Sequence, residues 1–436
     1  MSIDRAETAT DRPASEASRQ AERGVIWAIW LTYGAFYFCR TNIAAAVPGM
    51  KASVGDGGLG LSPEQVGYIL GALKVAYGLG QALNGQLAEH FSPRRLLAVG
   101  MLGSAGLNIL FGLSTGFYFL LFVWACNGYL QSLGWTPCMR VVANWVPVLR
   151  RGRAIGLIGT GYQVTQGLTF LVAGWAAHTL GWRGALYAPA GLLIAAAVFM
   201  LICLKDRPNG VEANNDETDA TTIAPSLPTG TFLENVLVTL GNPSLWLLGV
   251  SLGLLNACRY GFLDWGLTHL IEMQKVGVGK AALQYALLPI GAVAGSYLAG
   301  LATDRFFGGR RAPVICTLLV ALSGLSLAYG ALAEAGGPAM IGLLLAIGFC
   351  IYGPQVLLVG TAPSDLARRG TSAAAAGFVN FLGYMGAAAG DVVTGSLLKA
   401  YDWQVVIQVW AVWALTAAVA AGLLWNRTAS HNSSTR

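Results

Sequence analysis

Two arginines sit where the sequence is otherwise apolar. Arg40 lies in YGAFYFCRTNIAAAVP (residues 33–48) and Arg259 in NACRYGFLDWG (256–266), runs that read as membrane-crossing helix. A guanidinium there costs at least about 2.5 to 3.5 kcal/mol on insertion scales, and such residues face a cavity or a partner. Two chemistries can offset it. One is a structural ion pair, for which the apolar stretches offer Asp264 and Asp391. Asp264 follows Arg259 by five residues, roughly 500° around a helix, which is poor placement for a direct pair, so this supply is thin. The other is an anionic ligand. Guanidinium presents a planar fork that matches phosphate oxygens bidentately and stays charged at any accessible pH. A phosphate monoester carries about −1.5 to −2 charges at pH 7. Two like cations therefore suit one dianion.

The elements that must position these groups are membrane spans. Hydrophobic residues make up 55% of the 436-residue chain and charged residues only 11%, against about 25% charged in a soluble domain. Twelve stretches are long enough to cross a bilayer. They fall near 24–49, 62–90, 96–114, 117–146, 154–177, 183–204, 243–272, 281–303, 312–333, 338–361, 372–398 and 404–425. The expected class is an all-α integral membrane protein. A polar tail, 1–23, lacks the apolar core and cleavage site of a secretory signal. The longest polar interruption, 205–242, divides the spans into six (24–204) and six (243–425), followed by a short tail, 426–436. Lys and Arg number 18 in the segments on the side of the N-terminus and 5 on the other. The positive-inside rule then puts both termini in the cytoplasm. The net charge of +6 is thus a topology signal in short turns rather than a nucleic-acid face.

The two sets of spans repeat one another. GQLAEHFSPRR (85–95) returns as GLATDRFFGGRR (300–311), RRG at 150–152 returns at 368–370, and GW at 181–182 pairs with DW at 402–403, at offsets of 215, 218 and 221. Arg40 and Arg259 stand in the first and seventh spans at an offset of 219. Parallel halves related by an axis along the membrane normal bind substrate between them near the midplane. The repeat therefore predicts two guanidiniums facing one another across a central cavity.

Other signals have plain readings. GLIGTG (156–161) lies in an apolar span after no strand, so its glycines pack helices and hold no nucleotide. The seven cysteines lie in or beside spans with no C-x-x-C, and the four histidines lack metal-ligand spacing. No metal, no cofactor and no catalytic set of nucleophile, base and oxyanion donor is expected.

YFCRTN, GWTPCMR (134–140), RYGFLDWG (259–266), IYGP (351–354) and AAGFVNFLGYMG (375–386) resemble segments of the organophosphate:phosphate antiporters of the major facilitator superfamily. The resemblance covers essentially all twelve spans. It implies the major facilitator fold, two pseudo-symmetric six-helix bundles, with Arg40 and Arg259 matching the arginines that hold the phosphoryl group. Members similar to the glycerol-3-phosphate transporter carry a His in span five, where this chain has Tyr162 and Gln163. They also carry a Lys in span two near Gln81, whereas Lys74 lies here seven residues earlier, about two turns away on nearly the same face. Lys74 either lines the cavity or snorkels to headgroups. Hexose-phosphate members carry an Asp-x-x-Lys pair on span eleven, and here Asp391 is followed by Thr394. Asp391 then meets Lys74, takes up a proton, or binds an amino group on the substrate. By helical spacing or the resemblance, Tyr33, Tyr37, Tyr77, Tyr162 and Tyr260 fall at or near cavity positions. Glu89 and Asp304, at the ends of the repeated turn, and Arg140, near the cytoplasmic end of span four, are expected at gates.

The expected activity is exchange of a small phosphorylated or phosphonylated organic anion for inorganic phosphate by a monomeric carrier of the inner membrane, whose halves rock about the site. A transporter-like phosphate-ester sensor and a proton-coupled carrier of another organic anion remain as alternatives.

Overall fold

Helices start where the sequence supplies caps. Ser62 accepts from the Gln65 amide while the Gln65 side chain reaches back to the Ser62 amide, with Pro63 at the first helical position. Ser92 before Pro93, Asn242 before Pro243 and Asp402 before Trp403 also cap with their side chains. Each cap satisfies amides that the first turn leaves without intrahelical partners.

The computed structural model describes residues 16–207, 237–334, 336–367 and 371–426, and Glu89 by its backbone alone. Most of the expected linker (208–236), residues 1–15 and residues 427–436 lie outside the described residues. Within them the chain forms twelve helical rods and no strand. The first rod is Glu16–Ala35, a 3-10 turn at Phe36–Cys39, and Ile43–Lys51. It thus begins inside the segment 1–23, where Glu22 accepts from Arg150 of the fifth rod at 2.8 Å. Rods two and three are Pro63–His90 and Pro93–Leu113, and the fourth is Phe117–Gln131 continued by Trp135–Trp145. Rods five and six are Val148–Leu180 and Gly184–Cys203. The second set comprises Pro243–Gln274, Val278–Phe306, Ala312–Leu332, Gly337–Leu366, Ser372–Ala400 and Trp403–Gly422. Eight rods are long and apolar enough on their own to cross a membrane. The other four, rods one, two, four and five, are broken or carry polar side chains that turn inward.

The packing repeats as the sequence does. Rods one and five, two and four, and three and six pack together, as do seven and eleven, eight and ten, and nine and twelve. The halves meet along two symmetry-related seams, rod two on rod eleven and rod five on rod eight. The main chains run close at these and the neighbouring contacts. A Cβ on Gly67 would lie 2.6 Å from the Asp391 carbonyl oxygen, and one on Gly386 would lie 2.3 Å from that of Gly253. Glycine is used here as small residues are in membrane helices, to let backbones approach.

Ion pairs among the described residues join the halves on one side. On the side away from the chain ends, Lys51 pairs with Glu272 at 2.7 Å and Lys399 with Glu64 at 2.5 Å, each joining one half to the other. On the side of the chain ends, Arg150–Glu22 lies within the first half, and Arg311 with Asp304 and Asp365 lies within the second. The conformation is therefore one in which the halves are clasped on the far side.

Candidate functional site

Arg40 sits where its helix breaks. The 3-10 turn Phe36–Cys39 frees main-chain carbonyls inside the protein, where each needs a donor. Side-chain amides supply them. Gln131 Nε2 donates to the Phe36 carbonyl at 3.0 Å, and Asn127 and Asn108 donate to that of Cys39 at 2.9 and 3.3 Å. Ser104 ties the set together through Asn127 and Gln131 at 2.6 and 2.7 Å. Held in this way, Gln131 turns its Oε1 to Arg40 Nε at 3.1 Å and its carbonyl to Nη2 at 3.4 Å. Gln131→Leu should strand a carbonyl and a guanidinium N–H and destabilise by about 1 to 3 kcal/mol. A fall in the thermal unfolding midpoint in detergent is the measurement; an unchanged midpoint would deny the network its positioning role.

Arg259 occupies the equivalent place. It precedes a π-helical turn, Gly261–Trp265, in the middle of rod seven. Single π turns inside α-helices recur at functional sites. Its Nη2 donates to the Tyr352 hydroxyl at 3.2 Å, and its buried Nε–H meets no acceptor among the described residues. Arg40 of rod one is thus held from rod four, and Arg259 of rod seven from rod ten. Gln131 and Tyr352 stand 221 residues apart, within the spread of the sequence repeat.

Both guanidiniums rest on tyrosine faces rather than carboxylates. Arg40 Cζ lies 4.6 Å from the Tyr37 ring centroid and 4.4 Å from that of Tyr77; Arg259 Cζ lies 4.7 Å from Tyr260 and 4.8 Å from Tyr352. Arg40 Nη1 also donates to the Tyr37 hydroxyl at 3.2 Å. A desolvated cation–π contact is worth about 2 kcal/mol or more, and it leaves the formal charge in place. The arginines are 5% and 3% exposed, and among the described residues no ion pair involves either.

Three rings bridge the two cations. Tyr37 stacks on Tyr162 with centroids 4.9 Å apart, and Tyr162 faces Tyr352 at 6.3 Å. Tyr33 closes edge-on against Tyr37 and Tyr162, and Tyr384 packs on Tyr77 at 4.6 Å. Gln163 donates to Ser296 Oγ at 2.9 Å across the seam between rods five and eight, with Tyr162 at 3.5 Å. Tyr352 donates to Gln166 Oε1 at 2.6 Å, again from one half to the other.

Lys74 has the counter-ions that the arginines lack. Its Nζ pairs with Asp264 and, at 2.6 Å, with Asp391, and it lies 4.7 Å from the Tyr260 ring centroid. Lys74 is 3% exposed and Asp391 fully buried, so the side chain does not snorkel, and Asp391 meets Lys74. Asp264 belongs to this triad, having been carried to rod two by the π turn rather than to Arg259.

The expected gate residues lie elsewhere. Asp304 pairs with Arg311 at 2.9 Å inside the second half. Arg140 is half-buried in Trp135–Trp145, and the Glu89 side chain is outside the described residues. Sequence reasoning missed Gln131, Gln166, Tyr352 and Tyr384 as site residues. The repeat offset applied to rods four and ten pairs Gln131 with Tyr352, and IYGP and AAGFVNFLGYMG contain the two tyrosines. No grouping of His, Cys, Asp and Glu able to hold a metal occurs among the described residues.

Comparisons with known proteins agree with this architecture. The chain is 28% identical over 443 residues to the glycerol-3-phosphate transporter of Bacillus subtilis (strain 168), covering 95% of each chain. It is 28% identical over 394 residues to the membrane sensor protein UhpC of Escherichia coli (strain K12), covering 88% of each. Its fold matches that of a bacterial homologue of the human lysosomal transporter Spinster, crystallised in an inward-facing, occupied conformation, with a TM-score of 0.74 at 16% identity over 94% of this chain and 97% of the other. The sequence profile of the Major Facilitator Superfamily matches residues 29–390, and the chain belongs to that superfamily.

Proposed function

We propose that the protein is a secondary carrier that moves a small phosphorylated or phosphonylated organic anion across the cytoplasmic membrane in exchange for inorganic phosphate. One observation carries this reading: two buried guanidiniums, one from each half, rest on tyrosines with neutral hydrogen-bond partners, while the carboxylates nearby pair with Lys74 rather than with either arginine. A dianion supplies the missing counter-charge and accepts from both forks. The similarity to the glycerol-3-phosphate transporter points the same way.

Exchange is a consequence of the electrostatics. A ligand drives a conformational change only through different affinity for the two states. With the site empty, Arg40 and Arg259 repel in a low-dielectric interior as the halves close on them, which slows the rocking of the empty carrier. Bound phosphate removes that repulsion and bridges the halves. With both termini cytoplasmic, the clasped side, Lys51–Glu272 and Lys399–Glu64, faces outward. The site draws on a single chain, so a monomer suffices.

Counterflow of labelled phosphate in proteoliposomes is the test. Loading unlabelled phosphate inside should accelerate uptake of label, with no requirement for ATP. A second reading, a membrane sensor, has the similarity to UhpC in its favour; phosphate that binds the purified protein but never exchanges would select it. Uptake that tracks a pH gradient without phosphate on the opposite side would select a proton-coupled carrier instead, with Asp391 as proton acceptor.

A further inference from the structure

We infer that the site takes its substrate as a zwitterion, with a phosphoryl or phosphonyl group on Arg40 and Arg259 and a primary ammonium beside Asp391. The preferred class is then a short-chain amine phosphate or aminoalkylphosphonate. This rests on the reading that the paired arginines hold the phosphoryl group.

The argument begins with a charge imbalance. Lys74 serves two carboxylates, Asp264 and Asp391, and all three groups are buried. One negative charge is left over in a region where isolated charge is expensive. It falls on Asp391, whose Oδ1 has no hydrogen-bond partner among the described residues and whose exposure is 0%. The chemistry suits an ammonium, because Asp391 already accepts that of Lys74 at 2.6 Å and its Oδ1 is left over.

The imbalance is not a requirement of holding the halves together. The symmetry-related seam, rod five on rod eight, is bridged by the neutral pair Gln163 and Ser296. Of the two seams, that of rods two and eleven alone holds an ion pair among the described residues, so the fold does not demand the extra carboxylate.

The two poles lie side by side. A single ring separates them, since Arg259 Cζ and Lys74 Nζ each lie 4.7 Å from the centroid of Tyr260. The rods connect them as well. Lys74 and Tyr77, which carries Arg40, are one turn apart on rod two; Tyr384 and Asp391 are two turns apart on one face of rod eleven. A substrate anchored on the arginines has only a short distance to reach the surplus carboxylate.

The experiment uses the full-length protein purified in detergent at pH 7, displacing labelled inorganic phosphate with 2-aminoethylphosphonate or with its near-isostere n-propylphosphonate. A close charge pair in a desolvated site favours the amine by about tenfold or more in half-displacing concentration. Asp391→Asn should bring that ratio close to one, whatever the absolute affinity. Equal displacement by the two compounds on the unaltered protein overturns the inference, as does an amine preference that survives in Asp391→Asn. Phosphate self-exchange in liposomes separates this from the carrier reading. Exchange with no amine preference defeats the inference and leaves the carrier; amine preference without exchange does the reverse. Failure of labelled phosphate to bind defeats both.

Discussion

Arg40→Lys and Arg259→Lys should each lower phosphate exchange by about 100-fold or more in protein that still folds, and the thermal unfolding midpoint in detergent should fall modestly as the fork's hydrogen bonds and ring contacts are lost. Lysine keeps the charge, so a loss of this size isolates the contribution of the fork. A guanidinium donates two parallel hydrogen bonds to two oxygens of one anion and keeps further N–H groups for the protein. Arg40 uses Nε and Nη2 on Gln131 and Nη1 on the Tyr37 hydroxyl while its plane rests on Tyr37 and Tyr77. An ammonium has no plane to stack and cannot hold a glutamine and a phosphate oxygen in the same geometry. Losing one member of a buried, hydrogen-bonded charge pair typically costs about 2 to 5 kcal/mol, and about 2.7 kcal/mol is already 100-fold. If either lysine variant exchanges phosphate at the unaltered rate, the arginines are structural and the proposed cargo loses its support.

The second large effect concerns stability. Lys74→Met leaves Asp264 and Asp391 together, buried and without a cation. Breaking a buried pair from one side costs about 3 to 5 kcal/mol, because an uncompensated charge remains. The variant should show a large drop in unfolding midpoint or fail to accumulate in the membrane. Asp264→Asn should be far milder, since it leaves one lysine with one carboxylate. The triple variant Lys74→Met, Asp264→Asn, Asp391→Asn removes every formal charge in the cluster and should recover much of the loss. This non-additivity is the diagnostic result, because contacting residues couple whereas independent ones sum. Equal losses for the lysine and the aspartate variants would mean that the triad is held by packing rather than by charge.

The two effects separate the charges into different roles. On the proposed reading those of the arginines are left for a ligand, whereas that of Lys74 is neutralised inside the protein across the seam of rods two and eleven. A carrier whose halves rock must break and remake such seams. The exposed pairs on the clasped side are suited to this: Lys51–Glu272 and Lys399–Glu64 have side chains 20% to 58% exposed. Pairs of this kind typically contribute about 0 to 1 kcal/mol.

Much of the architecture was legible in the residues alone. Composition and span length require a membrane protein, because twelve long runs poor in charge have no other solvent to match. The short matches GQLAEHF and GLATDRF, RRG and RRG, fix two parallel halves, since a constant offset is a property of the chain and needs no coordinates. The same offset pairs Arg40 with Arg259. Sequence spacing cannot supply the local path of the helix. The 3-10 turn at Phe36–Cys39 and the π turn at Gly261–Trp265 each shift the register of the residues beyond them. A regular helix assumed through residue 264 therefore gives no reliable bearing for Asp264, and the same fault hid the partnership of Gln131 with the freed carbonyls of rod one.

Only the tertiary structure decided which cation met which anion. Lys74 and Asp391 lie more than three hundred residues apart on rods of different halves, and no periodicity links them. Their meeting depends on rods two and eleven crossing closely at Gly67 and Gly71. Hydrophobic pattern sets which residues avoid lipid, because that cost arises residue by residue. The pairing of buried charges depends on distances between helices, and those are fixed by packing across the whole molecule.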